Sequence, residues 1–339
     1  MISAAIIGLG RWGQNLGNSV QGKSDVIRFV AGATRTPAKA EAYARAQGFP
    51  LYDSYEKVLA DPGIQAVVLA TPHTRHAEQI VAAAKARKHV FTEKPLALTS
   101  KSAQAAVRAC VKAGVTLAAG YNWRFQPALQ EIKGMLEDGR LGKLLHIEGN
   151  FCGPSAYRFP KGHWRQERDE GPAGGMTGRG VHLVDAYLYL AGRIESVHSQ
   201  SARRVLDFGL DDTTSMLLRF RGGATGYFST ILATAETWRM QVFGSKGWVE
   251  VGGVEHLTTW QMKACFVDPR SLHVHHIPQL LVFPPVSTER AELEHFARAA
   301  AARRPLAAAG GDEVHNVAVF EAILKSAKAG RTVRVATKP

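Results

Sequence analysis

The stretch "AAIIGLGRWG" (residues 4–13) decides the reading of the chain. An unbroken apolar run meets three glycines, Gly8, Gly10 and Gly13, in the spacing G-x-G-x-x-G. A run apolar on both faces fits a strand covered by helices above and below. Gly8 permits a tight turn, Gly10 lets the backbone approach a pyrophosphate, and Gly13 lets a helix pack close to the strand. A helix starting here offers free N–H groups and partial positive charge to that anion. Arg11 and Trp12, set between the glycines, are expected to contact the same ligand. The motif alone also fits a plain Gly-rich turn, so its surroundings decide.

Those surroundings alternate. "VIRFVAGAT" (26–34), "IQAVVLATP" (64–72), "HVFTE" (89–93) and "TLAAGYN" (116–122) are strand-like. "TPAKAEAYARAQG" (36–48), "TRHAEQIVAAAKARKH" (74–89) and "TSKSAQAAVRACVKAG" (99–114) are helix-like. In the first of these helices Thr36 is the expected N-cap, Pro37 opens the first turn and Gly48 stops it. Alternation of this kind predicts an α/β fold with a doubly wound parallel sheet over residues 1–121. After residue 121 the pattern changes to a helix near 127–138, a strand at 144–151 and a long loop over 152–175. A helix near 180–192 follows. "TTSMLLRF", "ATGYFSTIL", "WRMQVFG" and "GWVEV" then read as antiparallel strands, with hairpin turns at Gly222-Gly223 and Lys246-Gly247. Two helices near 288–302 and 311–329 close the chain. A loop as long as 152–175 inside a compact domain is usually functional.

Composition narrows the class. Apolar content is 45% and charged content 21%, which suits an ordinary globular chain. No apolar stretch reaches about 18 residues, so no membrane-spanning helix is expected. The N-terminus has no basic n-region and reads as the first strand, not as a signal peptide. Three scattered cysteines suggest neither a disulfide framework nor a metal site, and a cytoplasmic setting fits. The net charge of +13 is spread along helices among alanines, as on a solvated surface, and it favours an anionic cofactor or substrate. Nucleic-acid binding has no recognition helix or aromatic signature behind it.

The residues after the second strand bear on cofactor choice. NAD-binding chains usually carry an acid there for the ribose 2′-hydroxyl. "GATRTP" (32–37) has Thr34 and Arg35 and no carboxylate. An arginine beside a hydroxyl suits a 2′-phosphate through charge-assisted hydrogen bonds, so NADP is expected. NAD remains the alternative, with Arg35 stacked on its adenine.

The segments "AIIGLGRWG", "ATPHTRHAE" (70–78), "VFTEKPLALT" (90–99), "GYNWRFQPALQEIK" (120–133), "GGMTGRGVHLVD" (174–185) and "VAVFEAILKSAKAGRTVRV" (317–335) occur in this order. Together they resemble the Gfo/Idh/MocA oxidoreductase family, which includes inositol, sugar and dihydrodiol dehydrogenases. The resemblance spans nearly the whole chain, and Glu93-Lys94-Pro95 is its most specific part. It implies a Rossmann domain over 1–121 and an α/β domain over 122–339, whose open, mainly antiparallel sheet often joins copies into a homodimer or homotetramer. The last helix is expected to pack back on the first domain. Thr71, Pro72 and His76 match the segment passing the nicotinamide end, where the family usually has Asn at the position of His73. Glu93 matches a residue near the nicotinamide ribose, Lys94 the catalytic lysine and His182 the active-site histidine. NADP-using dihydrodiol dehydrogenases have Ala-Arg where this chain has Thr34-Arg35. One departure stands out: four residues before His182 the family typically has aspartate, and this chain has Gly178.

The implied reaction moves a hydride between the nicotinamide and a small hydroxyl or carbonyl compound. Lys94 is the candidate acid/base, and burial beside a positive ring would lower its pKa toward neutrality. Pro95 fixes the backbone behind it, a cis bond being one option. Without an aspartate at 178, Lys94 and His182 must manage the proton, or a group from the 153–173 loop must help. Asp185, one turn beyond His182, is expected to contact substrate or His182. Arg124 and His163 are further substrate candidates. Arg179, with Lys161, Arg165 and Arg168 nearby in sequence, points to an anionic substrate, although Glu167, Asp169 and Glu170 dilute that charge. The competing reading is a dinucleotide-binding sensor that has lost catalysis, for which Gly178 is the main support.

Overall fold

The computed structural model describes residues 1–158, 162–207, 209–305 and 312–336. The chain divides into two compact units. One comprises residues 1–122 with 287–317, and the other residues 123–286 with the segment from Ala318 onward.

The first unit is built on six parallel strands: β1 Ile2–Ile7, β2 Ile27–Ala33, β3 Leu51–Tyr52, β4 Ala66–Leu69, β5 His89–Thr92 and β6 Leu117–Ala119. Their order is β3-β2-β1-β4-β5-β6, so the winding reverses between β1 and β4. Ligands of open α/β sheets bind outside the strand ends at such a reversal. Helices α1 Arg11–Val20, α2 Glu41–Gln47, α3 Tyr55–Ala60, α4 His76–Lys85 and α5 Ser100–Ala113 connect the strands. The pleat of β1 sends Ala5 and Ile7 into one apolar layer and Ala4 and Ile6 into the other, so the strand is covered on both sides.

Thr36 does not cap as expected. Its side chain makes no capping bond, because a short 3₁₀ turn, Pro37–Lys39, precedes α2. Gly48 ends α2 with φ 73°, as the sequence suggested.

The second unit holds a nine-stranded sheet of β7 Leu144–Cys152, β8 Ile194–Ala202, β9 Thr213–Phe220, β10 Thr225–Ile231, β11 Thr237–Gly244, β12 Gly247–Gly253, β13 Gln261–Phe266, β14 Gln279–Val282 and β15 Val333–Arg334. The order is β14-β13-β12-β11-β7-β10-β9-β8-β15, antiparallel except where β7 pairs with β10. Gly223, at φ 91°, turns the hairpin between β9 and β10. The helices here are α6 Pro127–Glu137, α7 Ser155–Arg158 and α8 Val181–Ala191, with α8 packed on α6 and β7. On β9, Thr214, Met216, Leu218 and Phe220 are buried, while Leu217 and Arg219 are exposed. The exposed face also carries Tyr227 and Arg239, which bonds Glu148 at 2.6 Å and Glu250 at 3.3 Å.

Two helices follow, α9 Thr288–Ala301 and α10 Asp312–Ala329. Residues 287–317 belong to the first unit, so α9, with only the start of α10, is the returning segment. Leu293, Phe296, Ala297 and Ala300 of α9 complete the apolar layer under β1, and the Phe296 ring lies edge-on to Phe91 at 5.8 Å. Among the described residues no helix is long and apolar enough to cross a membrane.

Candidate active site

In the first unit, the glycine loop leaves β1 through Gly8 at φ 95°. A Cβ on Gly8 would lie 2.5 Å from the Ala70 carbonyl oxygen, and one on Gly13 would collide with the Gly8 carbonyl. A Cβ on Gly10 would meet nothing within 4 Å. Two glycines are therefore fixed by packing, and the middle one borders open space. Helix α1 starts at Gly10 with no side-chain cap, so its first amides are available to an anion. Trp12 follows, with a buried indole Nε1 that lies toward the Glu93 carboxyl without making a full hydrogen bond among the described residues. Thr34 is half-buried just past β2, and Arg35 is exposed beside it.

The next segments are tied together by one imidazole. His76 is fully buried; its Nδ1 lies 2.8 Å from the carbonyl oxygen of Pro95 and its Nε2 lies 3.0 Å from that of Thr71. Both partners only accept, so the neutral ring donates to one at a time and the doubly protonated ring to both. Thr71 also donates to Gln79 Oε1 at 2.6 Å. Pro72 caps the short 3₁₀ turn His73–Arg75. His76 thus fixes backbone on both sides of the expected nicotinamide region.

Glu93 follows β5 and is 6% exposed. Its amide bonds the Leu69 carbonyl at 2.8 Å, and its Oε2 accepts from the Lys94 amide at 3.3 Å. Burial raises its pKa; the charge of Lys94 and then the indole N–H of Trp12 oppose the rise. Its Oε1 is buried without a full hydrogen bond among the described residues. Gly120 makes room for it, since a Cβ there would sit 3.0 Å from that oxygen. Lys94 is half-buried, and its bond to Pro95 is cis.

In the second unit, His182 on α8 belongs to an aromatic cluster. It stacks on Trp123 at 5.3 Å and 19°, and lies 5.7 Å from the His256 ring and 6.1 Å from Phe151. The Trp123 indole donates to His256 Nδ1 at 2.9 Å, which leaves the proton of a neutral His256 on Nε2. Trp238, opposite Phe151 across the sheet, closes the cluster at 4.7 Å from Trp123. The sequence reading missed His256, Trp123 and Trp238. Trp123 sits in a quoted motif, but nothing in the spacing of the other two marks them: strand register brings Trp238 here, and the turn between β12 and β13 brings His256.

Asp185 is 1% exposed, and both its oxygens accept from Arg124, at 2.8 and 2.7 Å. Two residues expected to contact substrate are thus bonded to each other. His163 uses its Nδ1 to accept the Arg165 amide at 3.2 Å and stacks on Trp164. Burial, then the charge of Arg165, lowers its pKa. The Arg165 guanidinium carbon sits over the Trp164 ring, 4.4 Å from its centre, and Arg168 is exposed. Lys161 lies outside the described residues. Arg179 is half-buried and bonds Ser155 and the Cys152 carbonyl.

Comparison with known proteins agrees with both units. Residues 2–121 match the model of the oxidoreductase family with the NAD-binding Rossmann fold, and residues 129–250 match the GFO/IDH/MocA C-terminal domain. The chain belongs to the GFO/IDH/MocA oxidoreductase family. It is thus an NAD(P)-dependent oxidoreductase acting on alcohol or carbonyl groups. It is similar to D-xylose 1-dehydrogenase (NADP(+)) 2 of Haloferax volcanii, with 30% identity over 89% of this chain and 90% of that protein. It is also similar to scyllo-inositol 2-dehydrogenase (NAD(+)) of Bacillus subtilis, with 30% identity over 75% of each chain. Among solved structures, a putative NADPH-dependent oxidoreductase from Desulfitobacterium hafniense superimposes with a TM-score of 0.90 at 24% identity, over 98% of this chain and 97% of that one. The open space at Gly10, the uncapped start of α1 and the buried polar atoms of Trp12 and Glu93 fit a dinucleotide.

Proposed function

We propose that this chain is an NADP-preferring dehydrogenase or reductase of a small polyhydroxy compound, with Lys94 as acid/base and His182 as the partner of the reacting oxygen. The observation that carries it is the setting of Lys94. It is held between the buried Glu93 and a proline whose carbonyl His76 pins, on the unit that carries the glycine loop. When bound, NAD(P) takes up or delivers the hydride. In the oxidising direction Lys94, as the neutral amine, accepts the hydroxyl proton while His182 hydrogen-bonds the same oxygen. The stack on Trp123 holds the His182 ring in one plane. The polyhydroxy class rests on the xylose and inositol dehydrogenases among the relatives. NADP rests on Arg35 and the lack of an acid beside it.

The test is turnover of NADP+ with aldoses and inositols by wild type, Lys94→Met and His182→Asn. Loss of about 10²–10⁴-fold in kcat for Lys94→Met, with NADPH binding retained, is the expected result. A wild-type protein that binds NADPH but reduces NADP+ with no alcohol and oxidises NADPH with no carbonyl compound would favour the sensor reading that Gly178 suggests. We assign the exposed sheet face bearing Leu217 and Tyr227 to contact between copies, in a dimer or tetramer. Sedimentation at the monomer mass would reject that assignment.

A further inference from the structure

Arg179 has a setting that a neutral sugar does not call for. It lies in the π-turn Met176–Gly180 that feeds α8. Its Nε and Nη2 donate to Ser155 Oγ at 3.1 and 3.0 Å, and its Nη1 donates to the Cys152 carbonyl at 2.8 Å. The guanidinium carbon sits 4.9 Å from the centre of the Phe151 ring. A Cβ on Gly153 would come within 2.6 Å of Nη2, so that loop position admits the guanidinium only because it is glycine. These hydrogen-bond partners are neutral; among the described residues the one carboxylate whose charge acts on Arg179 is that of Glu255, which makes no hydrogen bond to it. Burial, and then the charge of Arg158, disfavours its charged form.

A half-buried cation with no carboxylate bonded to it, and only the weaker pull of Glu255 against burial and Arg158, costs folding free energy. Such a group is retained where a ligand supplies the missing charge. Three of the five guanidinium N–H groups are used, leaving one on each terminal nitrogen. Two such donors match the oxygens of a carboxylate or phosphate. Room for that group lies next door: Gly178 is exposed, and a Cβ there would meet nothing within 4 Å among the described residues. Phe151 touches both Arg179 and His182, so the two groups flank one ring.

We propose that Arg179 is the anion-binding residue of the substrate site, and that the substrate is a sugar or polyol bearing a carboxylate or phosphate, its charged group lying in the space beside Gly178. This rests on the dehydrogenase reading above and names its substrate class. Arg179 is neither acid nor base here; it contacts substrate and sets specificity.

The test measures kcat/KM of the NADP-loaded enzyme on matched sets: D-glucose, D-glucuronate and D-glucose 6-phosphate, and the corresponding galactose series. The expected result is a preference of at least tenfold for one anionic member over its neutral parent. The acid and the phosphate ester, compared directly, identify the anion. Arg179→Met is expected to lower the anionic-to-neutral ratio at least tenfold. Gly178→Asp, which sets a carboxylate beside the guanidinium, is expected to lower the same ratio and serves if Arg179→Met does not fold. Equal losses on neutral and anionic members, or wild-type enzyme that binds NADPH yet turns over no anionic member, would overturn the proposal. Wild-type turnover of neutral members alone would sink it while leaving the dehydrogenase reading intact. Failure of the wild type to bind NADP(H) would instead remove the reading beneath it.

Discussion

The guanidinium of Arg124 grips both carboxylate oxygens of Asp185, at 2.8 and 2.7 Å, with the aspartate 1% and the arginine side chain 25% exposed. The two ends of this pair are unequal. Arg124→Ala removes these two charge-assisted hydrogen bonds from a carboxylate sealed from water, an expected loss of about 3 kcal/mol in unfolding free energy. Asp185→Ala leaves a cation that still reaches solvent, an expected loss of about 1–2 kcal/mol. Urea denaturation monitored by tryptophan fluorescence measures both, and equal losses would contradict the asymmetry.

Glu93 gives a pH-dependent prediction. Burial raises its pKa in the folded state, so the folded chain binds this proton more tightly than the unfolded chain. That contribution to stability is present at low pH and is lost as pH rises from the unfolded carboxyl range through the raised value. Glu93→Gln removes the dependence. The variant should match or exceed wild type in Tm at pH 8 and lose that advantage toward pH 4, while its activity falls. Thermal melts across that range check the crossing.

The glycine loop separates folding from binding. Gly13→Ala forces a Cβ into the Gly8 carbonyl and should lower Tm by several degrees, as overpacking of about 1–3 kcal/mol does. Gly10→Val places its side chain in open space, so Tm should hold while NADPH affinity falls at least tenfold. Calorimetry on both variants distinguishes the two effects.

Arg35 is exposed at the end of β2, where a phosphate contact would be partly screened by water. Arg35→Ala should lower kcat/KM roughly tenfold for NADP and leave that for NAD within about threefold. Equal change for both cofactors would place Arg35 on the adenine instead.

Much of the first unit is legible in the sequence because its strands are apolar on both sides and its helices carry their own stops, as at Gly48 and Gly114. The second unit is harder. β8, "IESVHSQSA", is polar outward, and the edge strand β14 has four residues, so neither stands out as periodic. The candidate site divides in the same way. The glycine loop, Glu93 and Lys94 sit in contiguous motifs, and their order along the chain announces them. Trp238 reaches His182's neighbourhood through pairing across the sheet and His256 through the turn that joins β12 to β13, and no local pattern encodes either. The sequence proximity of Arg124's partner was equally silent, since 61 residues separate Arg124 from Asp185.

The return of α9 to the first unit has a consequence for how the molecule is made. Leu293, Phe296, Ala297 and Ala300 complete the layer beneath β1, yet they leave the ribosome only after residues 123–286 of the second unit have been synthesised. The nascent nucleotide-binding half therefore waits, one apolar flank bare, until more than four-fifths of the polypeptide exists. Chaperone capture during that interval, and the insolubility of any fragment that stops at residue 122, follow from this late arrival.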